Sequence, residues 1–223
     1  MPIFTKNEKN ILFIHIPKSA GSSIERIGND LGWRESFSIR GKPLSELSVY
    51  RSSFQHLHAQ PLSEILNLDA FDSIFTVVRN PFIRFKSEYY WQRRQHLTSL
   101  GVDEWVEEMF SSYYKNSYIY DNHIRPQIEF IPKNQNVNVF KLEGNATSKA
   151  RDLFLSFRHP NKKEVLPFGF FPESNENEIP PSLFDRHEKK STKDNVIEAS
   201  FEKHYDNIVR FYKDDFFAFG YKI

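Results

Sequence analysis

The chain has 223 residues, with 30 Lys+Arg against 29 Asp+Glu and a formal charge of +1. That balance argues against a basic nucleic-acid arm or an acidic tail, and 39% hydrophobic residues with 22 Phe argue against disorder. There is no cysteine, so disulfides, thiolate zinc sites and cysteine nucleophiles are excluded.

A chain of this size buries roughly 70% of its unfolded surface, enough for one full core, and residues 1–223 read as a single domain. No apolar run approaches the ~18 residues of a membrane span, so stable membrane insertion is not expected. The opening MPIFTKNEKN lacks the apolar core of a secretory signal, and the expected location is cytoplasmic.

The first element is Ile11-Leu12-Phe13-Ile14-His15-Ile16, an apolar run of buried-strand type that ends at Pro17. A loop of small residues, Lys18-Ser19-Ala20-Gly21-Ser22-Ser23, follows. Ile24, Ile27 and Leu31 then recur at helical spacing until Gly32. A second buried strand, Ile74–Val78, ends at Arg79-Asn80-Pro81. Asn80 is placed as the cap and Pro81 as the first residue of a helix running to Leu97. A third strand covers Val137–Leu142. Helices are expected over 103–115, 122–131, 147–157 and 196–213, and a long surface loop over 166–185. Strands separated by helices predict an α/β fold with a central, mainly parallel sheet flanked by helices.

Two turns suit anions. After the first strand, a helix N-terminus with small residues presents free N–H groups. Ser19, Ser22 and Ser23 add hydroxyls there, and Lys18 adds a point charge, a set suited to phosphate or sulfate. A tight turn without ligand would look similar. The nucleotide-triphosphate P-loop pattern fails, because Lys18 precedes the glycine and Phe13 stands where a loop glycine belongs. After the second strand, Arg79 sits at a carboxyl end, where ligands of open α/β sheets collect, with Ser87 further along the next helix. Arg84 and Lys86 lie on that helix and read as solvated.

In this order and separation, the residues Phe13–Ser23 and Val78–Tyr90 resemble the 5′-phosphosulfate loop and the 3′-phosphate motif of sulfotransferases. The carbohydrate branch is the nearest, with heparan sulfate 2-O- and 6-O-enzymes and bacterial relatives. The end of the chain, Tyr205–Tyr221, is similar to that branch's closing helix and strand. The resemblance implies a P-loop-NTPase-like three-layer fold and a donor, 3′-phosphoadenosine 5′-phosphosulfate, released as adenosine 3′,5′-bisphosphate. By position, Lys18, Ser19, Ala20, Gly21, Ser22 and Ser23 would hold the phosphosulfate. Arg79 and Ser87 would hold the 3′-phosphate, and Lys189–Thr192 would close over the nucleotide or remain a solvated loop. In such relatives the acceptor is a hydroxyl.

Gln55-His56-Leu57-His58-Ala59 carries two histidines at i, i+2. A metal pair, a buried structural histidine and a general base are the three readings, and no metal is expected because no carboxylate is spaced to complete a site. Sulfuryl transfer needs a hydroxyl made nucleophilic, which suits an imidazole. The segment Leu57–Glu64 resembles the catalytic-histidine stretch of the 6-O branch, which favours His58 over His56 as the base. Lys18 would stabilise the leaving oxygen. His15 reads as structural. Trp91, His56, Arg94, His123, Arg125 and Gln127 are the candidates for holding a carbohydrate or other hydroxyl acceptor, through aromatic faces and Arg forks. A small hydroxylated metabolite or lipid as acceptor, a non-catalytic nucleotide-binding module and a small-molecule kinase are the competing readings.

Overall fold

The structure, a computed structural model, describes residues 1–39, 50–157 and 192–223. A hairpin opens the chain, with β1 (Ile3–Lys6) antiparallel to β2 (Lys9–Ile14). Its two-residue turn, Asn7-Glu8, has φ of 48° and 62°, the left-handed pair of a tight hairpin turn. Helix α1 (Gly21–Asp30) and β3 (Arg34–Ser36) follow, then α2 (Ala59–Ile65), β4 (Ser73–Val78), α3 (Pro81–Arg94), α4 (Val102–Lys115), β5 (Val137–Lys141) and α5 (Ala146–Ser156). The described chain closes with α6 (Thr192–Lys203), α7 (Tyr205–Phe211) and α8 (Lys213–Ala218).

The sheet order is β3-β1-β2-β4-β5. β2, β4 and β5 are parallel neighbours, while β1 pairs antiparallel with both β2 and β3. The sheet is therefore mixed rather than mainly parallel. The miss has a local cause: β1 and β3 are only four and three residues long, and the hairpin turn lacks a glycine.

Alternation along the parallel strands explains the continuous apolar runs. Ile11, Phe13, Phe75 and Val77 pack on one face against Ile24 of α1 and Ala146, Ala150 and Phe154 of α5. Leu12, Ile14, Ile74 and Val78 pack on the other against Leu57, Leu62, Phe130 and Phe219. Both faces of the central strands β2 and β4 are covered, so their buried positions are apolar with Thr76 the exception, while the edge strand β5 carries exposed Asn138 and Val139. Each fully buried Phe contributes about 1.5–3 kcal/mol relative to exposure. A third cluster joins α3, α4 and the closing helices through Phe85, Trp105, Met109, Phe201, Ile208 and Phe216.

Asn80 caps α3 as expected: its Oδ1 accepts from the Ile83 N–H at 3.1 Å, with Pro81 first in the helix. Three other expectations change. No continuous helix spans 122–131. Tyr120, Asp121 and Asn122 instead have φ of 47°, 56° and 64°, and only a 3₁₀ turn forms at Gln127–Phe130, after Pro126. The expected helix over 196–213 is broken into α6 and α7. Residues 219–223 form no strand. Among the described residues no helix is long and apolar enough to cross a membrane. The 166–185 segment and Lys189–Ser191 lie outside the described residues.

Candidate active site

β2 and β4 run parallel in register, Ile14 beside Thr76, so the segments that follow them leave the same edge of the sheet. The loop after β2 is bent by two left-handed residues, Lys18 (φ 66°) and Ala20 (φ 64°). Such conformations cost roughly 1–2 kcal/mol each in residues with a Cβ, and they cluster at functional sites. Ala20 opens α1 with no side chain capping the helix, which leaves its first amides available to an anion. Ser19 Oγ is buried without a hydrogen-bond partner.

Gly21 is fixed by its neighbour. A Cβ placed there would lie 1.7 Å from His15 Nε2. The absence of a side chain lets an imidazole, rather than a ligand alone, approach the backbone. His15 is itself buried. Its Nδ1 is 2.9 Å from Glu25 Oε1 and 2.9 Å from Gln55 Nε2, and Gln55 Nε2 also donates to Glu25 at 3.0 Å. Burial holds the His15 pKa below its ordinary value.

Arg79 leaves β4 beside this loop. Its Nη1 donates to the Lys18 carbonyl at 3.4 Å, so the two anion-suited segments touch. Gln127, fully buried, grips the Arg79 backbone from both ends: its Oε1 accepts from Arg79 N at 3.0 Å, and its Nε2 donates to Arg79 O at 2.9 Å. Ser87 is half-buried one helical face along α3. Arg84 is not solvated; it is buried and donates to the carbonyls of His123 (3.0 Å) and Arg125 (2.7 Å). Lys86 pairs with Glu198 of α6.

A cleft of 710 Å³ is lined by His15, Lys18, Gly21, Ser22 and Ser23 of the loop region. The lining also includes Ser52, Ser53, His56, Asp121 and His123, with the His56 ring 4.7 Å from that of His15, and the aromatic and cationic side chains of Tyr50, Arg51, Trp91 and Tyr120. His56 and Asp121 are the core of that second group. Asp121 Oδ2 accepts from His56 Nδ1 at 2.7 Å and from Ser53 Oγ at 2.7 Å, while Oδ1 accepts from Ser53 N at 2.6 Å and Ser52 Oγ at 3.1 Å. Next in the turn, Asn122 Nδ2 donates to the His56 carbonyl at 2.8 Å and to Ser52 Oγ at 3.0 Å. These bonds hold the left-handed turn in place and fix His56 by ring and backbone.

Burial pushes the His56 pKa down to about 3 against the pull of Asp121, so the ring is neutral near pH 7. Asp121 is held well below the usual carboxylate range by its bonds to His56 and Ser53, which outweigh its burial. The Lys18 ammonium is lowered to about 8, chiefly by burial.

The other predicted residues divide. His123 lines the cleft, its Nδ1 2.8 Å from Glu88 Oε2 and its ring 4.9 Å from that of Trp91. His58 lies outside the lining. It precedes α2, with its ring edge-on to Tyr118 at 5.3 Å and its Nδ1 buried without a partner. Burial lowers its pKa to about 4. Arg125 is buried and tied to Asn122, Ser117 and Glu129, and Arg94 is exposed; neither lines the cleft, and nor do Ser19, Arg79, Ser87 and Gln127. Sequence reasoning missed Asp121, Ser53 and Glu88. An isolated carboxylate carries no spacing signal when its histidine partner is 65 residues away.

His56, Asp121 and His123 bring possible ligand atoms within 4.8 Å of one another, as a metal site would. The donor set fits that use poorly. Both Asp121 oxygens are filled by four hydrogen bonds, and His123 Nδ1 is committed to Glu88.

Comparison with curated proteins returns no match, and neither does comparison with solved structures. A family model described as "Sulfotransferase family" matches residues 1–222. That match covers nearly the whole chain, and the chain belongs to the sulfotransferase family.

Proposed function

We propose that this enzyme transfers a sulfuryl group from 3′-phosphoadenosine 5′-phosphosulfate to a carbohydrate hydroxyl, with His56 as general base. The observation that carries the reading is the contact of Arg79 with the Lys18 carbonyl. It brings two anion-suited segments together, and one of them shares a cleft with the His56–Asp121 pair. A donor with separate 5′-phosphosulfate and 3′-phosphate groups needs two such neighbouring grips. Lys18, Ser19, Ala20, Gly21, Ser22 and Ser23 would hold the first, and Arg79 with Ser87 the second. The uncapped amides of α1 and the unpartnered Ser19 hydroxyl fit an anion there.

The acceptor oxygen attacks sulfur in line, and the bond from sulfur to the bridging phosphate oxygen breaks. Its electron pair stays on adenosine 3′,5′-bisphosphate, where Lys18 and the loop amides stabilise the charge. His56 takes the hydroxyl proton at Nε2, because Nδ1 is engaged by Asp121. The carboxylate then stabilises the imidazolium as it forms. His56 is preferred to His58 because it lines the cleft and is oriented by a carboxylate. The aromatic rim of Tyr50, Trp91 and Tyr120, with Arg51, suits a sugar ring bearing acidic groups.

The test is sulfate transfer from labelled donor across acidic oligosaccharides, neutral sugars and phenols. His56→Ala should lose about 10²–10⁴-fold in kcat while still binding adenosine 3′,5′-bisphosphate by thermal shift, and His58→Ala should stay within a few-fold of wild type. Full turnover in His56→Ala would overturn the base assignment. Transfer only to phenols would overturn the carbohydrate acceptor.

A further inference from the structure

β4 ends at Val78, whose ladder partner on β5 is Lys141, and Arg79 is the first residue past the strand. Its backbone N–H and C=O are both taken by one side chain. The carboxamide of Gln127 carries an acceptor and a donor, the same pair that a peptide group presents, and it meets Arg79 N at 3.0 Å and Arg79 O at 2.9 Å. Gln127 is held in turn from the closing helices. Asp215 of α8 accepts from Gln127 N through Oδ2 and from Ile128 N through Oδ1, each at 2.8 Å. The cation that offsets this carboxylate is the buried Arg84. A chain of bonds therefore runs from Asp215 through Gln127 to Arg79, across 88 and then 48 residues of sequence. It ends on the arginine whose Nη1 meets the Lys18 carbonyl. Gln127 and Asp215 are both fully buried, so neither touches a ligand. Burying an amide and a carboxylate is costly unless their polar atoms are used, and the ones that matter here all have partners.

We propose that Gln127 is a positioning residue for Arg79, with Asp215 behind it, and that this pair sets how strongly the protein distinguishes a nucleotide bearing a 3′-phosphate from one without it. The inference deepens the donor reading above and rests on it. The direction in which an arginine side chain leaves the chain is set by its backbone, and a guanidinium has to be placed to within about 0.5 Å to fork onto a phosphate. Arg79 stands where the chain turns from strand to helix. Glu143 holds the next amide, Asn80 N, at 2.9 Å, but the peptide groups of Arg79 itself are left to Gln127. The loop after β2 has separate support, from the packing of Gly21 on His15 and from the Gln55–Glu25 bond beneath it. Loss of Gln127 therefore loosens the 3′ grip and leaves the 5′ grip in place.

The experiment needs no acceptor. Binding of adenosine 3′,5′-bisphosphate and of adenosine 5′-phosphate is measured by calorimetry for wild type, Gln127→Met, Asp215→Asn, Arg79→Met and the Arg79→Met, Gln127→Met double variant. The ratio of the two dissociation constants reads the 3′-phosphate grip alone. A loosened fold weakens both nucleotides and leaves that ratio where it was. Gln127→Met keeps the length of the side chain and removes both bonds to Arg79, and the preference for the bisphosphate should fall about tenfold, the worth of two hydrogen bonds. Asp215→Asn keeps one of its two acceptors and should lower the preference about two- to threefold. In Arg79→Met the preference is already lost, and adding Gln127→Met should change it no further. An unchanged ratio in Gln127→Met, or an equal loss of both nucleotides, would overturn the inference. So would a further fall in the double variant, because Gln127 would then act other than through Arg79. Should Gln127→Met not fold, the ratio in Asp215→Asn decides in the same way. Equal binding of the two nucleotides by wild type would instead overturn the donor reading.

Discussion

The two walls of the cleft are built in opposite ways. The donor wall is a continuous stretch, His15 to Ser23, hung between a buried strand and a helix and pinned once by Arg79. The acceptor wall is assembled from Ser52–His56, Trp91 and Tyr120–His123, three segments far apart in the chain. What unites it is side-chain hydrogen bonding, with Asp121 and Asn122 clamping the Ser52–His56 segment by six bonds. A wall made of contiguous backbone is robust to single side-chain changes in its shape but not in its charge. A wall made of side-chain bonds depends on those side chains for its shape as well as for its charge.

The largest effect should come from charge on the donor wall. Lys18→Met removes the cation assigned to the departing oxygen and should lower kcat by about 10²–10³-fold, the loss typical of one preorganised donor to a developing charge, while Arg79→Met removes the cation assigned to the 3′-phosphate and should act mainly by raising the donor KM. Arg79→Met should also weaken adenosine 3′,5′-bisphosphate binding, and Lys18→Met should do so less. A kcat within a few-fold of wild type in Lys18→Met, together with unchanged donor KM in Arg79→Met, would break the comparison at its donor side.

Next in size is the carboxylate of the acceptor wall. Asp121→Asn keeps the shape of the turn but offers an amide to His56, which favours the wrong ring tautomer and no longer stabilises the imidazolium. A loss of about 10²-fold in kcat is expected, with nucleotide binding unchanged by thermal shift. Loss of nucleotide binding would mean that the walls are not independent.

The asymmetry also decides what the sequence revealed. Phe13–Ser23 and Val78–Tyr90 are local patterns, and their strand–turn–helix geometry, including the Asn80 cap, is written within a dozen residues each. β1 and β3 were illegible because a four-residue and a three-residue strand leave no periodic signal, and Asn7-Glu8 is not a glycine turn. On the acceptor wall, the ordering of His56 ahead of His58 depends on Asp121, whose placement depends on three consecutive left-handed residues without glycine. No propensity predicts that. The tertiary bonds to Ser52, Ser53 and His56 offset the strain.

A smaller effect should appear where the donor wall meets its support. Gly21→Ala forces a methyl into the ring of His15 and should destabilise the fold by roughly 1–3 kcal/mol by overpacking. Urea denaturation of Gly21→Ala, His15→Ala and the double variant would measure the coupling. The double variant should be more stable than the sum of the single losses. Simple additivity would show that His15 does not set the glycine requirement.

The smallest effect is in pH, and it belongs mainly to the acceptor wall. Burial lowers the His56 pKa to about 3 from an unfolded value near 6.5. Between those values the unfolded chain carries a proton that the folded chain lacks, so acid favours unfolding. Stability is then full above about pH 6.5 and is lost as pH falls, at up to about 1.4 kcal/mol per pH unit for this one ring. From pH 6.5 to 5 the loss attributable to His56 is about 2 kcal/mol. The buried His15, lowered in the same direction, adds to the slope from the donor side. Urea midpoints at pH 7 and pH 5 should differ clearly in wild type and less in His56→Asn, which cannot titrate. An unchanged slope in that variant would place the acid sensitivity in His15 or His58, whose pKa values burial lowers in the same direction.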